Sequence, residues 1–431
     1  MMNNIKINQF LFYTFPSYLI IALPILLITG PFLSDLALTL IGVLFVINSL
    51  VNKIFFYYKN FFFKIFILFN FFLIISSLLS DGYVLYSLQK SIAYIRYGIF
   101  AIGVYYLVDK NPDLIKKVFF SLLFCFLALS LDGFLQFFTG ENILGYTKYA
   151  TRISSFFDKE LVLGSYLARL FPILFGFFIL IYGEKKNHLI FLCLVIVFIS
   201  SEIIIFLSGE RTAFFFLNLS TLFIILLSPK YKILRFSILA ISILLIFIIS
   251  QKYPIYKERI FDQTISQLNI SSDKKENIFD QIKNKDIYIF SYRHHQHYLS
   301  AYKIFLDNKI FGIGPKNFRN ICKNDKYFIN EYSCTTHPHN TYMQLLAETG
   351  LVGFIIIFST FIFLVILCLK QFALQFFKKD FVFNSYQIFL LSAIFITLWP
   401  FAPSGNFFNN WINVIYFFPV GFLLQTLKKN N

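Results

Sequence analysis

Two histidines, His337 and His339, lie in a short polar sequence that leads into a long apolar run over residues 354–369. An imidazole whose pKa is near its ordinary value of about 6.5 can accept or donate a proton at neutral pH. Titratable groups at membrane depth are costly and are retained mostly for function. The pattern indicates a proton-transfer site where a water-exposed loop meets a membrane. The alternative on the local sequence is an ordinary helix start with exposed histidines.

Three arginines in other polar segments are candidates for binding an anionic substrate. Arg152, Arg211 and Arg293 each lie in or beside a predicted loop. A guanidinium group is always charged and binds phosphate oxygens through two parallel hydrogen bonds. An interface side chain that snorkels to water is the alternative for Arg211, and a structural role in its loop is the alternative for Arg152.

A second group of histidines, His294, His295 and His297, resembles a metal site by composition. However, positions i, i+1 and i+3 of a helix do not place three ligands on one face. The sequence also has no Asp-x-Asp pair, no phosphate-binding G-x-x-x-x-G-K-[S/T] loop and no G-x-S-x-G nucleophile turn. We therefore expect neither a metal nor another cofactor.

The composition is that of a membrane protein. The 431 residues are 58% hydrophobic and 14% charged, whereas soluble domains are about 45–50% apolar and 25% charged. The net charge of +16 would suggest nucleic-acid binding in a soluble protein, but here Lys and Arg lie mainly in alternate loops. Apolar runs of sufficient length predict an all-α polytopic fold with about twelve transmembrane helices. These runs are 15–33, 36–51, 61–80, 84–108, 118–138, 161–182, 189–207, 213–228, 233–250, 350–369, 384–401 and 411–427.

The basic residues of the short loops predict the orientation. If both termini are cytoplasmic, the inside segments carry seventeen Lys and Arg, with Arg235 among them, and the short outside loops carry four. Positive charge favours the cytoplasmic side. Residues 1–250 are then expected to form spans one to nine, residues 251–349 a periplasmic helical loop with the histidine motif, and residues 350–431 spans ten to twelve. The first run is expected to remain as a membrane anchor.

Other polar residues are assigned structural roles. Cys322 and Cys334 lie in the outer loop with eleven residues between them, and an oxidising compartment would favour a disulfide over two free thiols. Glu348 follows His339 by nine residues and is expected to orient or pack rather than to catalyse. Asp132, near the outer end of its span, is a candidate partner for an intramembrane arginine.

The motif around the histidines resembles that of a known superfamily. His339-Asn340, nine further residues and Gly350-x-x-Gly353 are similar to the H-[N/S/Q]-x9-G-x-x-G signature of O-antigen ligases and Wzy-type polymerases. Ser208-Gly209-Glu210-Arg211 resembles a family segment whose arginine faces the donor. Arg293 resembles the start of an R-x-x-x-[L/W] element, although His297 replaces the last residue. Arg152 resembles an R-x-S-G-x-F segment in which Ser155 replaces the glycine.

The resemblance implies a GT-C-like membrane glycosyltransferase with a large periplasmic loop between spans nine and ten. Such enzymes transfer a glycan from undecaprenyl diphosphate to a sugar hydroxyl at the periplasmic face of the bacterial inner membrane. It implies that His339 is the general base and that Arg211 and Arg293 bind the donor diphosphate. The further residues implied at the site are the possible substrate contacts Arg152, His337, Asn340 and Glu348, and the motif glycines Gly350 and Gly353.

The candidate functions that remain open differ mainly in their acceptor. An O-antigen ligase would use lipid A-core as acceptor, and the nine-residue spacing favours this function. A Wzy-like polymerase would use a second repeat unit, and a protein O-glycosyltransferase would use a protein. A lipid-glycan transporter, from another class, would need charged residues along a path through the membrane midplane, whereas this chain gathers its arginines and histidines on one face.

Overall fold

The computed structural model describes residues 8–80, 82–184, 188–267 and 290–428, and within them the chain forms helices and no β-strand. A π-helical turn, Phe10–Thr14, leads into the first helix. The helices are α1 (Phe15–Ile28), α2 (Pro31–Asn52), α3 (Phe61–Leu78), α4 (Val84–Lys110), α5 (Asp113–Thr139), α6 (Leu163–Tyr182), α7 (His188–Leu207), α8 (Arg211–Leu227), α9 (Lys232–Lys252), α10 (Tyr292–Asp307), α11 (Thr341–Ala373), α12 (Ser385–Thr397) and α13 (Asn410–Thr426).

A helix occupies each of the twelve apolar runs, which confirms the all-α polytopic membrane fold. Of the described residues, nine helices are long and apolar enough to cross a membrane, and α8 and α12 are shorter apolar helices. The first run ends earlier than predicted, at Ile28, because Gly30 has a φ of 117° and Pro31 opens the next helix. Helix α11 begins at Thr341, before the predicted tenth span, and its helical geometry is interrupted at Gly350, where that span was predicted to start.

Asparagines begin several of these helices. The side chain of Asn60 accepts a hydrogen bond from the amide of Phe63 (2.8 Å), and Asn409 does the same for Ile412 (3.1 Å). Asn384 forms a reciprocal capping box with Gln387. A cap satisfies amide groups that have no partner within the helix. The polar residues between the apolar runs therefore define where the helices start.

An ion pair lies inside the bundle. Arg235, predicted to lie in a cytoplasmic loop, is instead in the first turn of α9, fully buried. Its guanidinium group is 2.5 Å from the carboxylate of Glu202 on α7, donates to the hydroxyl of Thr221 on α8 and stacks over the ring of Phe171. A buried arginine needs such a partner because an isolated charge in an apolar medium is very costly.

Asp132 has other partners than predicted. Among the described residues it pairs with no arginine. It accepts hydrogen bonds from the hydroxyl of Ser155 (2.5 Å) and the amide of Ile143 (2.9 Å), and so holds the loop that follows α5. The intramembrane Arg96 pairs instead with Asp35 at 2.8 Å.

The outer segment predicted at 251–349 is described except for residues 268–289. It packs helix α10 against the first part of α11. A small core of its own joins α10, the short helix Phe318–Ile321 and α11, and consists of Ala301, Ile304, Ile313, Phe318, Ile321, Cys322 and Ala347. This layer positions the histidines on one end of the bundle.

Candidate active site

The start of α11 fixes the position of His339. Asn340 caps the helix, because its side-chain oxygen accepts from the amides of Tyr342 (2.9 Å) and Met343 (3.1 Å). Its side-chain NH2 group donates to the carbonyls of Pro400 (2.9 Å) and Ala402 (3.2 Å) in the loop before α13. The amide of Asn340 thus has four protein partners, so the geometry supports a positioning role rather than a substrate contact.

The backbone of His339 is held by the same loop. Its φ of 58° lies in the left-handed region, which is uncommon for a residue with a side chain. Its carbonyl accepts a hydrogen bond from the amide of Ser404 (2.8 Å). Strained residues of this kind persist where the surrounding structure determines them, and they cluster at functional sites.

The motif glycines allow two backbone segments to cross. Gly350 has φ 62° and ψ −164°, which interrupts the helical geometry of α11. Alongside it, the amide of Leu351 donates to the carbonyl of Lys309 (2.8 Å), and the amide of Gly314 donates to the carbonyl of Glu348 (2.9 Å). A Cβ at Gly350 would meet the Ile310 carbonyl, and one at Gly312 would lie 2.6 Å from the Gly350 nitrogen. Only glycine fits these two positions.

Gly353 has a different role. A Cβ at this position would meet the hydroxyl of Thr349, which donates to the carbonyl of Leu345 (2.7 Å). Gly353 therefore leaves room for a side chain of its own helix, one turn earlier. The two motif glycines thus serve two different contacts.

Four histidine rings meet at the end of the bundle. The ring of His339 is 4.1 Å from that of His337, 5.2 Å from that of His297 and 5.7 Å from that of His294, measured between centroids. His294 and His297 are one helical turn apart on α10, so they share a face. His295 lies between them and is outside these ring contacts. No group of three or more His, Cys, Asp or Glu side chains in the described ranges is arranged to hold a metal ion.

Burial keeps these histidines neutral. Burial and the neighbouring histidines lower the pKa of His339 to about 3. Burial lowers the pKa of His337 to about 4, with Arg319 and the other rings acting in the same direction. Burial, His297 and Arg211 lower the pKa of His294 to about 4. At neutral pH these rings are therefore free to accept a proton.

His337 and His339 differ in their partners. The Nε2 of His337 donates to the carbonyl of Ser404 (3.3 Å), so its Nδ1 accepts from the hydroxyl of Thr336 (2.9 Å). His337 is 8% exposed, and both its nitrogens are occupied. For His339, by contrast, the described residues supply no hydrogen bond to either ring nitrogen. His339 is the ring that can bind a substrate hydroxyl.

The structure brings Arg211 and Arg293 to this cluster. Arg211 is the first residue of α8, and its charge acts on His294. Arg293 is in the first turn of α10, where it stacks over the ring of Tyr332 (5.0 Å) and acts on His297. His294 and His297 both contact His339, so each predicted phosphate ligand acts on a ring that contacts the predicted base. Their roles remain predictions.

Arg152 lies beside Arg211, and so does Arg259, an arginine that the sequence did not single out. Arg152 donates to the carbonyls of Ser208 (3.0 Å) and Leu161 (3.3 Å). Burial lowers its pKa, and so does the charge of Arg259, against the attraction of Glu210. Arg259 sits in a π-helical turn of the outer segment, and its Nε is buried without a hydrogen bond. Arg152 and Arg259 line a cavity of about 360 Å³.

Glu210 contacts the start of α6, where its carboxylate accepts from the amides of Gly164 (2.6 Å) and Ser165 (3.0 Å). A carboxylate at a helix N-terminus is stabilised by the helix dipole and by unpaired amides. Glu210 thus ties the turn that carries Arg211 to a neighbouring helix. No local sequence signal could reveal this contact, because the partners lie forty-six residues apart.

Glu348 is fully buried and acts within the scaffold. It accepts from the amide of Phe318 (3.0 Å) and the side-chain amide of Gln344 (2.9 Å). Gln344 also accepts from the amide of Phe407 (2.9 Å). These contacts fit the orienting role that the sequence favoured over catalysis.

A disulfide and a large cavity complete the surroundings. Cys322 pairs with Cys334, with Cα atoms 5.5 Å apart, a distance typical of disulfides. A cavity of about 1180 Å³ lies between α3, α11, α12 and α13. Its wall is almost wholly apolar, and it includes Leu398 and Phe407, whose backbones bond Tyr342 and Gln344 on α11.

The family comparison covers the central part of this site. No curated protein matches the sequence. A family model described as O-antigen ligase matches residues 195–358, from within α7 into α11. The match contains Arg211, Arg293, His339 and both motif glycines, and it leaves Arg152 outside. Over residues 195–358 the chain is therefore similar to the O-antigen ligase family.

Proposed function

We propose that this protein transfers a glycan from undecaprenyl diphosphate to a sugar hydroxyl of lipid A-core, at the periplasmic face of the bacterial inner membrane. The observation that carries the proposal is the partly exposed His339 ring, whose nitrogens have no hydrogen-bond partner among the described residues, with Arg211 and Arg293 acting on adjacent rings. A base and fixed cations are what transfer from a diphosphate requires. The apolar cavity of about 1180 Å³ supports a donor with a long lipid chain.

The transfer is a single displacement with inversion and needs no metal. His339 takes the proton of the acceptor hydroxyl while its oxygen attacks the anomeric carbon. The bond between that carbon and the phosphate oxygen breaks, and the electron pair leaves with the diphosphate. A positioned base contributes typically about 10²–10⁴-fold in rate. Arg211 and Arg293 stabilise the charge that develops on the leaving group.

Binding of the donor prepares the base. The pKa of His339 is about 3 because of burial and its histidine neighbours, and such a ring is a weak base. A diphosphate bound by the arginines places negative charge beside the ring, which favours the imidazolium form and raises its pKa. Proton transfer is then efficient only when the donor is present.

The test is a transfer assay with purified protein, lipid-linked glycan and lipid A-core. We expect His339→Gln to lower turnover by about 10²-fold or more while the thermal unfolding temperature changes little. His188→Gln serves as a control, because His188 begins α7 and lies in none of the ring contacts. Unchanged turnover in His339→Gln would show that another group is the base.

The acceptor is tested separately in a deletion strain. Lipopolysaccharide gels should show free core together with accumulated lipid-linked polymer, and the intact gene should restore the ladder. Core that carries a single repeat unit would instead indicate a polymerase. A donor trapped on the cytoplasmic side would indicate a transporter.

A further inference from the structure

A second set of cations lies beside the histidine cluster. Lys316 and Arg319 are one turn apart at the short helix Phe318–Ile321, and Lys90 is in the second turn of α4. Burial lowers the pKa of Lys316 to about 8, and the charges of Lys90 and Arg319 act in the same direction, against the attraction of Glu348. Three cations are thus held close together in a partly buried place.

Backbone contacts fix this arrangement. The turn before Lys316 lies directly on α4, because a Cβ at Gly314 would come within 2.5 Å of the hydroxyl of Ser87. The amide of Phe318 donates to Glu348 (3.0 Å), which ties the same turn to α11. Lys316 has a φ of 65°, a conformation rare for a residue with a side chain.

Glu348 is a carboxylate that acts on Lys316 and Arg319, but it is fully buried and already accepts hydrogen bonds from Phe318 and Gln344. None of the ion pairs among the described residues includes Lys90, Lys316 or Arg319. The neighbouring Arg96 differs, because Asp35 neutralises it at 2.8 Å. The Nε of Arg319 and the side-chain oxygen of Asn317 are buried without a hydrogen bond, although Asn317 is fully buried. Three cations beside one buried carboxylate leave an excess of positive charge, which predicts an anionic ligand.

This set acts on the histidines separately from the donor arginines. Arg319 acts on His337, and Arg211 acts on His294, and both of these rings contact His339. The two sets also belong to different parts of the bundle. Helix α4 packs against α2, α3 and α13, whereas α8 packs against α6, α9 and α12. His339 therefore contacts one ring on which each cationic set acts.

We infer that Lys90, Lys316 and Arg319 bind the phosphate groups on the lipid anchor of the acceptor. The inference rests on the proposed transfer between two membrane-borne substrates, and it adds that both substrates are held by their phosphates. Lysine and arginine both bind phosphate, arginine with two parallel hydrogen bonds. A phosphorylated glucosamine lipid and a second polyprenyl diphosphate share this chemistry.

The test measures binding independently of turnover. The wild type and the double variant Lys316→Gln/Arg319→Gln are titrated with lipid A-core, with the same lipid after dephosphorylation, and with polyprenyl diphosphate that carries one repeat unit. We expect the double variant to bind its phosphorylated acceptor at least tenfold more weakly, since one hydrogen bond to a charged group corresponds to about that factor. The phosphorylated lipid that loses affinity identifies the acceptor.

Matched variants separate a phosphate contact from a folding defect. Lys326→Gln removes an exposed lysine of the same segment, which pairs with Asp307 at 2.8 Å, and should leave binding unchanged. Arg319→Lys keeps the charge and should retain most of the affinity. In the transfer assay, the double variant should raise the KM for the acceptor, and Arg211→Gln should raise that for the donor.

Each outcome decides the inference. Equal binding of the phosphorylated and dephosphorylated lipids by the wild type would overturn it, and so would a double variant that binds every lipid as the wild type does. Phosphate-dependent binding without any transfer by the wild type would support the cationic site and refute the proposed transferase. Failure of the phosphate-binding inference and failure of the proposed transferase function would thus give different results.

Discussion

The histidine cluster makes this protein sensitive to acid, and the sign of the effect follows from its lowered pKa values. Burial is the main cause for His294, His337 and His339, whose pKa values fall to about 4, 4 and 3. In the unfolded chain each ring titrates near 6.5. A base whose pKa is lower in the folded protein than in the unfolded chain binds its proton more tightly in the unfolded chain. The contribution to stability is therefore complete above about pH 6.5 and is lost as the pH falls towards the folded pKa.

The size of the effect follows from the same values. For each ring, the free energy of unfolding falls by about 1.4 kcal/mol for every pH unit of acidification across this window. Between pH 6.5 and 5 this amounts to about 2 kcal/mol for one ring and at most about 6 kcal/mol for the three together. The charge of Arg211 on His294 and that of Arg319 on His337 are part of the penalty for protonation.

The assay is unfolding of the purified protein in detergent at several pH values between 7.5 and 5. His294→Gln should reduce the slope of the unfolding free energy against pH by about one proton in this range. His188→Gln, at the start of α7, serves as the matched control. A wild-type protein that gains stability on acidification, or an unchanged slope in His294→Gln, would refute the reasoning.

Two further predictions concern the scaffold. Gly350→Ala should destabilise the protein by more than the roughly 1–3 kcal/mol of backbone strain, because the new Cβ would also meet the Ile310 carbonyl. Gly145→Ala is the control for strain alone, since Gly145 has a φ of 81° and open space around it. Equal losses of stability in thermal unfolding of the two variants would disprove the steric argument. Replacing Cys322 and Cys334 with Ser should lower the stability of the outer segment by about 2–4 kcal/mol, and non-reducing mass spectrometry that finds both thiols free in the wild type would remove the basis for this expectation.

The sequence predicted the helices and the motif residues well for a physical reason. A run of apolar residues is stable only within a membrane or a protein core, so a run of sufficient length predicts a helix that spans the membrane. Likewise, the spacing from His339 to Gly350 is local, because a single helical segment joins the two residues, from Thr341 to the interruption at Gly350. The i, i+3 spacing also placed His294 and His297 on one face of α10, and excluded His295 from it.

Contacts between distant segments were not predictable. The crossing of Gly312 with Gly350 joins residues far apart in sequence, and only the fold shows why both are glycines. Arg259 and Arg319 match no motif residue. The approach of Arg259 to Arg152, and that of Arg319 to His337, therefore gave no signal in the sequence. Arg235 was misplaced because a basic residue near a span boundary resembles a loop residue until its partner on α7 is known.

That buried pair has a consequence for how the protein is made. Glu202 belongs to a helix that leaves the ribosome well before the one that carries Arg235. A charged side chain at the centre of a membrane helix costs about 2.5–3.5 kcal/mol on insertion scales, so the earlier helix is poorly suited to enter lipid alone. We expect α7, α8 and α9 to remain together at the translocon and to partition into the bilayer as one assembled unit.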